Sequence, residues 1–252
     1  LPISTKRSPM IRELPECLTC HNLQRSCFAN VLPDYLSELK YEKACSMYKK
    51  GQVIFQEDNR ALGVYCLYSG NVKLYKYGPD GREQIVRMVQ PGDLFGYRAL
   101  VGSRLYCINA QALNDAAVCF FTAENFLQIT RKIPEITHKI IIALSDLLED
   151  TENQLTSLAQ KSVRERLAET LLRLSERQDD PLHTAGPVIN LSREDLANMV
   201  GSATETVIRL LSEFREEKLI AIAGRKIHLL DISGLQRVAH AHVNGFLKAF
   251  EG

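Results

Sequence analysis

The chain has 252 residues, a net charge of +1, 45% hydrophobic and 24% charged residues; this fits one large or two modest folded domains and excludes a low-complexity or disordered protein. No apolar run approaches the roughly 20 residues of a membrane-spanning helix and no export-signal pattern opens the sequence, so a cytoplasmic protein without membrane segments is expected. Residues 161–252 carry 13 acidic and 13 basic side chains. That balance excludes nucleic-acid binding by a broad positive field and leaves only local arrangement to carry it.

Residues 1–16, with Pro2, Pro9 and Pro15 and little periodicity, read as a flexible arm. Cys17, Cys20 and Cys27 follow at close spacing. Such spacing suits metal ligation, and thiolates favour zinc or iron–sulfur clusters. His21 is the only nearby histidine, so three thiols need a distant fourth ligand; a chance grouping of core thiols is the competing reading. Seven cysteines, an odd number in a chain without an export signal, point to metal or redox use rather than a disulfide framework. Short helices are predicted within 30–45, around Tyr35, Leu36 and Leu39.

From Met47 to about Phe121 the pattern is strand-like. Gln52–Phe55, Val64–Tyr68, Asn71–Tyr77, Gln84–Val89 and Ala116–Phe121 are short and rich in β-branched or aromatic residues, and Gly- and Pro-bearing turns at 69–71, 78–81 and 91–93 separate them. This predicts a small antiparallel barrel or roll. After Ile133-Pro134 the pattern becomes helical to about Ala159. Ile141, Leu144, Leu148, Thr151, Leu155 and Leu158 alternate three- and four-residue spacings, the seam of a two-stranded coiled coil. A helix packed on its own β domain would also fit. Asp146, Glu149, Asp150 and Glu152 crowd the middle of that seam, so a homodimer built on it is expected to be conditional.

Val163–Glu176 is amphipathic, Gln178–Pro187 reads as a polar loop, and Ile232–Phe250 reads as a helical tail. Between them, Leu191–Phe214 reads as two helices around a tight turn. Ser192 caps the first, Gly201 ends it, and Ser202 restarts the helix with Glu205 in the capping-box position. Val207, Leu210, Leu211 and Phe214 share one face; Thr204, Glu205, Ile208, Arg209 and Ser212 share the other. A helix-turn-helix lays such a face in the major groove, where Arg grips guanine, Glu accepts from cytosine and Ile touches a thymine methyl. The same pattern fits an ordinary helical hairpin. The following apolar runs, Leu219–Ala223 and Ile227–Leu230 about Gly224-Arg225-Lys226, predict a basic hairpin and so a winged helix, with Arg225 and Lys226 placed for phosphates.

In this order the parts resemble the bacterial CRP/FNR family of transcription regulators over nearly the whole chain. Gly70-Asn71-Val72-Lys73 with Pro91-Gly92-Asp93-Leu94-Phe95-Gly96, Glu165-Arg166-Leu167-Ala168, and Glu205-Thr206-Val207-Ile208-Arg209 carry the likeness. The resemblance implies an α+β chain: an arm with the cysteine cluster (1–45), an antiparallel β-roll of the cyclic-nucleotide-binding type (46–132), a dimerisation helix (133–160) and a winged-helix DNA-binding domain with a tail (161–252). It implies a dimer on a palindrome of double-stranded DNA, with RNA polymerase as a further partner. Cyclic-nucleotide binding is not expected, because Tyr97 stands where that subgroup has Glu, and Leu105 follows Arg104 where it has Ser.

Within the family the chain is similar to the FNR-like subgroup, which holds a [4Fe–4S] cluster and senses oxygen or nitric oxide. That likeness implies Cys17, Cys20, Cys27 and Cys119 as ligands, although the Cys20–Cys27 interval is one residue longer than the FNR pattern. Cys66 reads as core, and Cys107 is the alternative fourth ligand. A cluster-free regulator gated by a small ligand, haem or thiol oxidation is the other regulatory reading. An enzyme is not expected, since paired carboxylates, a nucleophile elbow and a phosphate-binding Gly loop are all missing.

Overall fold

The computed structural model describes residues 15–39, 42–102, 104–176 and 188–240. Almost all of the arm predicted over 1–16, the whole polar loop predicted over Gln178–Pro187, and the tail beyond residue 240 lie outside the described residues. The chain forms two compact units. One comprises the residues up to Lys76 and Ile85–Leu147; the other comprises Tyr77–Gln84 and the residues from Leu148 on.

The first unit contains α1 (Pro33–Glu38), β1 (Lys43–Tyr48), β2 (Val53–Phe55), β3 (Gly63–Ser69), β4 (Val72–Tyr77), β5 (Glu83–Val89), β6 (Leu94–Phe95), α2 (Arg98–Val101), β7 (Asn109–Ala112), β8 (Ala116–Thr122), α3 (Ala123–Lys132) and the start of α4 (Pro134–Gln160). Its strands make two four-stranded sheets, ordered β1-β8-β3-β6 and β2-β7-β4-β5. Every pairing of β1, β3, β7 and β8 is antiparallel. This is the predicted β-roll.

Because side chains alternate across a strand, the register of β8 sorts its two faces. Tyr65 pairs with Phe120, and Tyr65 packs with Phe120, Phe55 and Phe95 while Phe55 stacks on Tyr106 at 4.0 Å between centroids. These rings fill the roll. On the other face Cys119 lies opposite Cys45 of β1 and Cys66 of β3, and Phe121 meets Phe28 of the N-terminal segment at 5.5 Å. At Gly63 a Cβ would collide with the Phe121 carbonyl and the Phe120 ring, so the absence of a side chain there lets β3 lie against β8.

In this unit β6, α2 and β7 add to the elements the sequence predicts, and two further stretches differ from that reading. Helical structure starts at α3, ten residues before Ile133, with Thr122 accepting from the Asn125 amide as its cap. Ile133 then leaves the helical region, at φ −127° and ψ 87°, as proline disfavours helical backbone in the residue before it, and divides α3 from α4. Strand β1 occupies part of the interval read as helical.

The second unit contains the end of α4, α5 (Val163–Glu176), β9 (Val188–Asn190), α6 (Arg193–Val200), α7 (Thr204–Glu216), β10 (Ile220–Ala223), β11 (Lys226–Leu229) and α8 (Ile232–Val238). Leu167 and Leu171 of α5, Leu196 and Ala197 of α6, and Val207, Leu211 and Phe214 of α7 are buried in it. The wing is a three-stranded sheet, β10-β11-β9, so β9 adds a strand to the two predicted. No helix among the described residues is long and apolar enough to cross a membrane. Leu196 is fully buried between the helices that set the recognition element. Leu196→Ala is expected to destabilise this unit by about 2–5 kcal/mol, read from denaturant unfolding.

Candidate functional site

Two sites emerge, one in each unit. In the first, residues 15–39 cover the outer face of β8 and its neighbours. Asn22 donates to the Tyr68 carbonyl at 2.7 Å, and Phe28, Leu36 and Leu39 are buried. Beneath them lies a cleft lined by Cys17, Cys20, Cys66 and Cys119, with Lys43, Asn22, Phe28 and Phe121. The structure therefore brings Cys17 and Cys20 to Cys119. Cys27 lines the adjoining recess with Arg25, Arg87, Lys139 and Ile142 of α4.

Cys66 is more than core filling: it faces the cleft and points its thiol at the Gly92 carbonyl, 3.7 Å away. Cys107 lines a different cavity, inside the roll, with Phe95, Tyr97, Arg98 and Tyr106. Tyr97 is buried and its hydroxyl has no hydrogen-bond partner among the described residues.

All seven cysteines are free thiols, and their surroundings set their acidity. Burial pushes the Cys27 thiol up to about 12 and raises Cys66 well above its ordinary value. Burial also raises Cys17, opposed by Lys43, whose Nζ donates to Cys17 Sγ at 3.0 Å. Cys45 and Cys119 face each other at 3.5 Å between sulfurs. Their hydrogen bond lowers Cys45 and raises Cys119. Metal binding must displace protons from such thiols.

Among the described residues no three His, Cys, Asp or Glu side chains converge on a point that would hold a single metal ion. Cys17, Cys20, Cys66 and Cys119 instead line a cleft, a set of sulfur donors of the kind that iron–sulfur groups use. Lys43 is the residue sequence reasoning missed. Its signal was there: Lys43 and Cys45 are two apart on a strand and so share a face.

In the second unit, α6 is capped by Ser192, whose hydroxyl accepts from the Asp195 amide at 2.9 Å. It ends at Gly201 with φ +69°, a left-handed conformation that glycine adopts without strain. The amides of both Gly201 and Ser202 close onto the Ala197 carbonyl. Ser202 thus belongs to the turn and does not cap the next helix: Ala203 holds the N-cap position of α7 and no side chain caps it. The predicted capping box with Glu205 is absent.

Thr204 and Ser212 are half-buried on α7, and Glu205, Ile208 and Arg209 are exposed together on its free face. Arg209 is held by Glu213 one turn on, at 2.6 Å, a largely exposed pair worth only a few tenths of a kcal/mol. Glu213 is itself bound by Arg164 at 3.1 Å, and Arg164 also grips Glu217 and lies 4.8 Å from the Phe214 ring.

Arg225 and Lys226 are exposed at the wing turn. Arg193, the first residue of α6, donates to the Gly224 and Arg225 carbonyls at 3.2 and 3.4 Å and ties the wing to the helix-turn-helix. A cation in the first turn opposes the helix dipole, a signal by which the sequence could have pointed to its role.

A roll of the cyclic-nucleotide-binding type and a winged helix with a free, mixed-charge recognition face define a DNA-binding transcription regulator. Residues 46–132 match the cyclic nucleotide-binding domain family and residues 165–238 the Crp-like helix-turn-helix domain family. The regulatory protein HlyX of Actinobacillus pleuropneumoniae is 31% identical over 71% of this chain and 75% of its own. The transcriptional activator Anr of Pseudomonas protegens is 29% identical over 78% and 81%. The structure of FixK2 from Bradyrhizobium japonicum superposes with a TM-score of 0.71 at 27% identity, over 79% of this chain and 98% of that one. The chain belongs to the CRP/FNR family of transcription regulators and is not an enzyme.

Binding to half-site variants at fixed salt separates the roles of the surface residues. Arg209→Ala should lose about 1–3 kcal/mol of discrimination at one base position per half-site. Arg225→Ala should weaken all sequences alike and lower the salt slope by about one per site. With no capping box to maintain, Glu205→Gln should melt within about 0.5 kcal/mol of the parent yet shift base preference; early melting with unchanged preference would assign Glu205 to the helix and not to DNA.

Proposed function

We propose that this regulator is a cytoplasmic homodimer whose binding to a palindromic operator is controlled by a [4Fe–4S] cluster held by Cys17, Cys20, Cys27 and Cys119, with oxygen or nitric oxide as the signal. The observation that carries this reading is the shared cleft of Cys17, Cys20 and Cys119, thiols that come from the two ends of the sensor unit. Lys43 offsets the negative charge of thiolates gathered there. The cluster would supply a redox-active, oxygen-labile group and a tie between the N-terminal segment and β8.

The same segment reaches α4. Lys139 donates to the Ala29 carbonyl, and Cys27 shares its recess with Lys139, Ile140, Ile142 and Asp146. Fixing residues 17–27 therefore bears on the helix that carries the dimer seam. Along that helix Ile141, Leu148, Leu155 and Leu158 are 46–68% exposed, Thr151 is exposed and Leu144 is half-buried. A row of uncovered large apolar side chains on one helix suits a partner helix, and the acidic residues beside it make pairing depend on the sensor. A dimer sets two recognition helices about one DNA turn apart, in position for a palindrome and, beside it, RNA polymerase.

The partnerless Tyr97 hydroxyl beside the roll cavity supports a second reading, a cluster-free regulator gated by a small ligand. Anaerobic purification with iron and sulfide assay and an absorption spectrum decides between them: broad cluster absorbance is expected, a sharp Soret band means haem, and a colourless protein sinks the cluster. Single Ser substitutions of Cys17, Cys20, Cys27 or Cys119 should abolish most iron-linked absorbance, while Cys66→Ser and Cys107→Ser retain it. A full cluster in Cys119→Ser would remove it as fourth ligand.

Leu148→Asp should sediment as a monomer and lose binding to the palindrome. Asp150→Ala should strengthen the dimer of the cluster-free protein. A cluster-free parent that is already fully dimeric would end the idea of conditional pairing.

A further inference from the structure

We propose that Cys45 and Cys119 form a reversible disulfide when the cleft is without a cluster, which makes this pair a peroxide-responsive modification site. The inference rests on the cluster reading only where it assigns Cys119 a second use; the disulfide itself follows from the register.

Cys45 and Cys119 are direct partners across β1 and β8, with sulfurs 3.5 Å apart. Directly opposed residues of an antiparallel pair have Cα atoms about 4.5–5.5 Å apart, inside the window of about 4.4–6.8 Å that a disulfide spans. Closing the sulfurs to about 2.05 Å calls for side-chain rotation and a small yield of β1, which is the edge strand of its sheet. Cys66 also lies opposite Cys119, but its thiol is directed to the Gly92 carbonyl. Cys45 is half-buried and Cys119 buried, so a small oxidant arriving from solvent meets Cys45 first.

The oxidant is hydrogen peroxide. The Cys45 sulfur attacks one peroxide oxygen, the O–O bond breaks, and water leaves as Cys45 becomes a sulfenic acid. The Cys119 sulfur then attacks the Cys45 sulfur. The S–S bond forms, the S–OH bond breaks, and a second water departs with the Cys119 proton. Two electrons have passed from the two sulfurs to the peroxide, and thiol–disulfide exchange with a dithiol restores both. While the bond stands, Cys119 is withdrawn from the cleft, so disulfide and cluster exclude each other.

The test uses the full chain, with iron and sulfide measured first, then made cluster-free by chelator under anaerobic conditions and treated with one equivalent of hydrogen peroxide. Free thiols are alkylated, and unreduced digests are read by mass spectrometry. The Cys45 and Cys119 peptides should appear joined, two hydrogens lighter than their sum, and should separate with dithiothreitol. Cys45→Ser and, independently, Cys45→Ala should leave Cys119 alkylated.

A Cys119 joined to Cys66 or Cys17, or left free in the parent, overturns the proposal. Reconstitution with iron and sulfide should fail in the oxidised protein until dithiothreitol is added; uptake with the cross-link intact overturns the exclusion. Absence of iron in the first measurement would sink the cluster reading and leave the disulfide standing, while a protein rich in iron without the cross-link would do the reverse.

Discussion

The register of β8 between β1 and β3 is the constraint on which the sensor unit depends. Side chains alternate along a strand, so a slip of one residue would turn Cys119 into the aromatic interior and push Phe120 out beneath the N-terminal segment. Three contacts resist that slip. Gly63 lets β3 approach Phe121 where a Cβ would collide. Tyr65, Phe95 and Phe120 fill the roll on one side. Phe28 docks on Phe121 on the other. The thiols are thus placed by the packing of rings, and their chemistry is inherited from a core that would need the same register for stability alone.

In the proposed sensor, that arrangement would carry a change at a few sulfurs to the rest of the unit. The N-terminal segment is thin: a short 3-10 turn at Leu23–Arg25 and the six residues of α1 are its only regular structure among the described residues. Such a segment holds its place through side-chain anchors, and Asn22, Phe28 and Lys139 supply them at separate points. In the proposed regulator, a segment held by so few anchors is one that a ligand would shift. A segment built as a long helix would be harder to move and a poorer reporter.

Much of this was legible in the sequence, and the limits have physical causes. The turn glycines and β-branched runs revealed the roll, and the heptad spacing revealed α4. The helix-turn-helix was read down to its Ser192 cap and the Gly201 stop. What escaped was non-local. β1 is an edge strand with three of its six residues exposed and none buried, so it lacks the apolar run that marks a strand. β9 is three residues long. Ser202 looked like a cap because its side chain suits one, but its amide is committed to the Ala197 carbonyl. The cysteine spacing pointed to a site without saying that Cys66 faces the cleft or that Cys107 lies elsewhere. Both facts depend on which strands are neighbours.

Arg193 binds main-chain oxygens at the wing tip and makes no demand on the side chains there. The geometry of the wing is therefore insulated from the identity of residues 225 and 226. If residues 225 and 226 hold phosphates as proposed, their cations are replaceable without disturbing the hairpin, and grip on DNA can change while the exposed face of α7 keeps its alignment. On the proposed DNA contacts, operator occupancy and operator choice are tuned on separate surfaces.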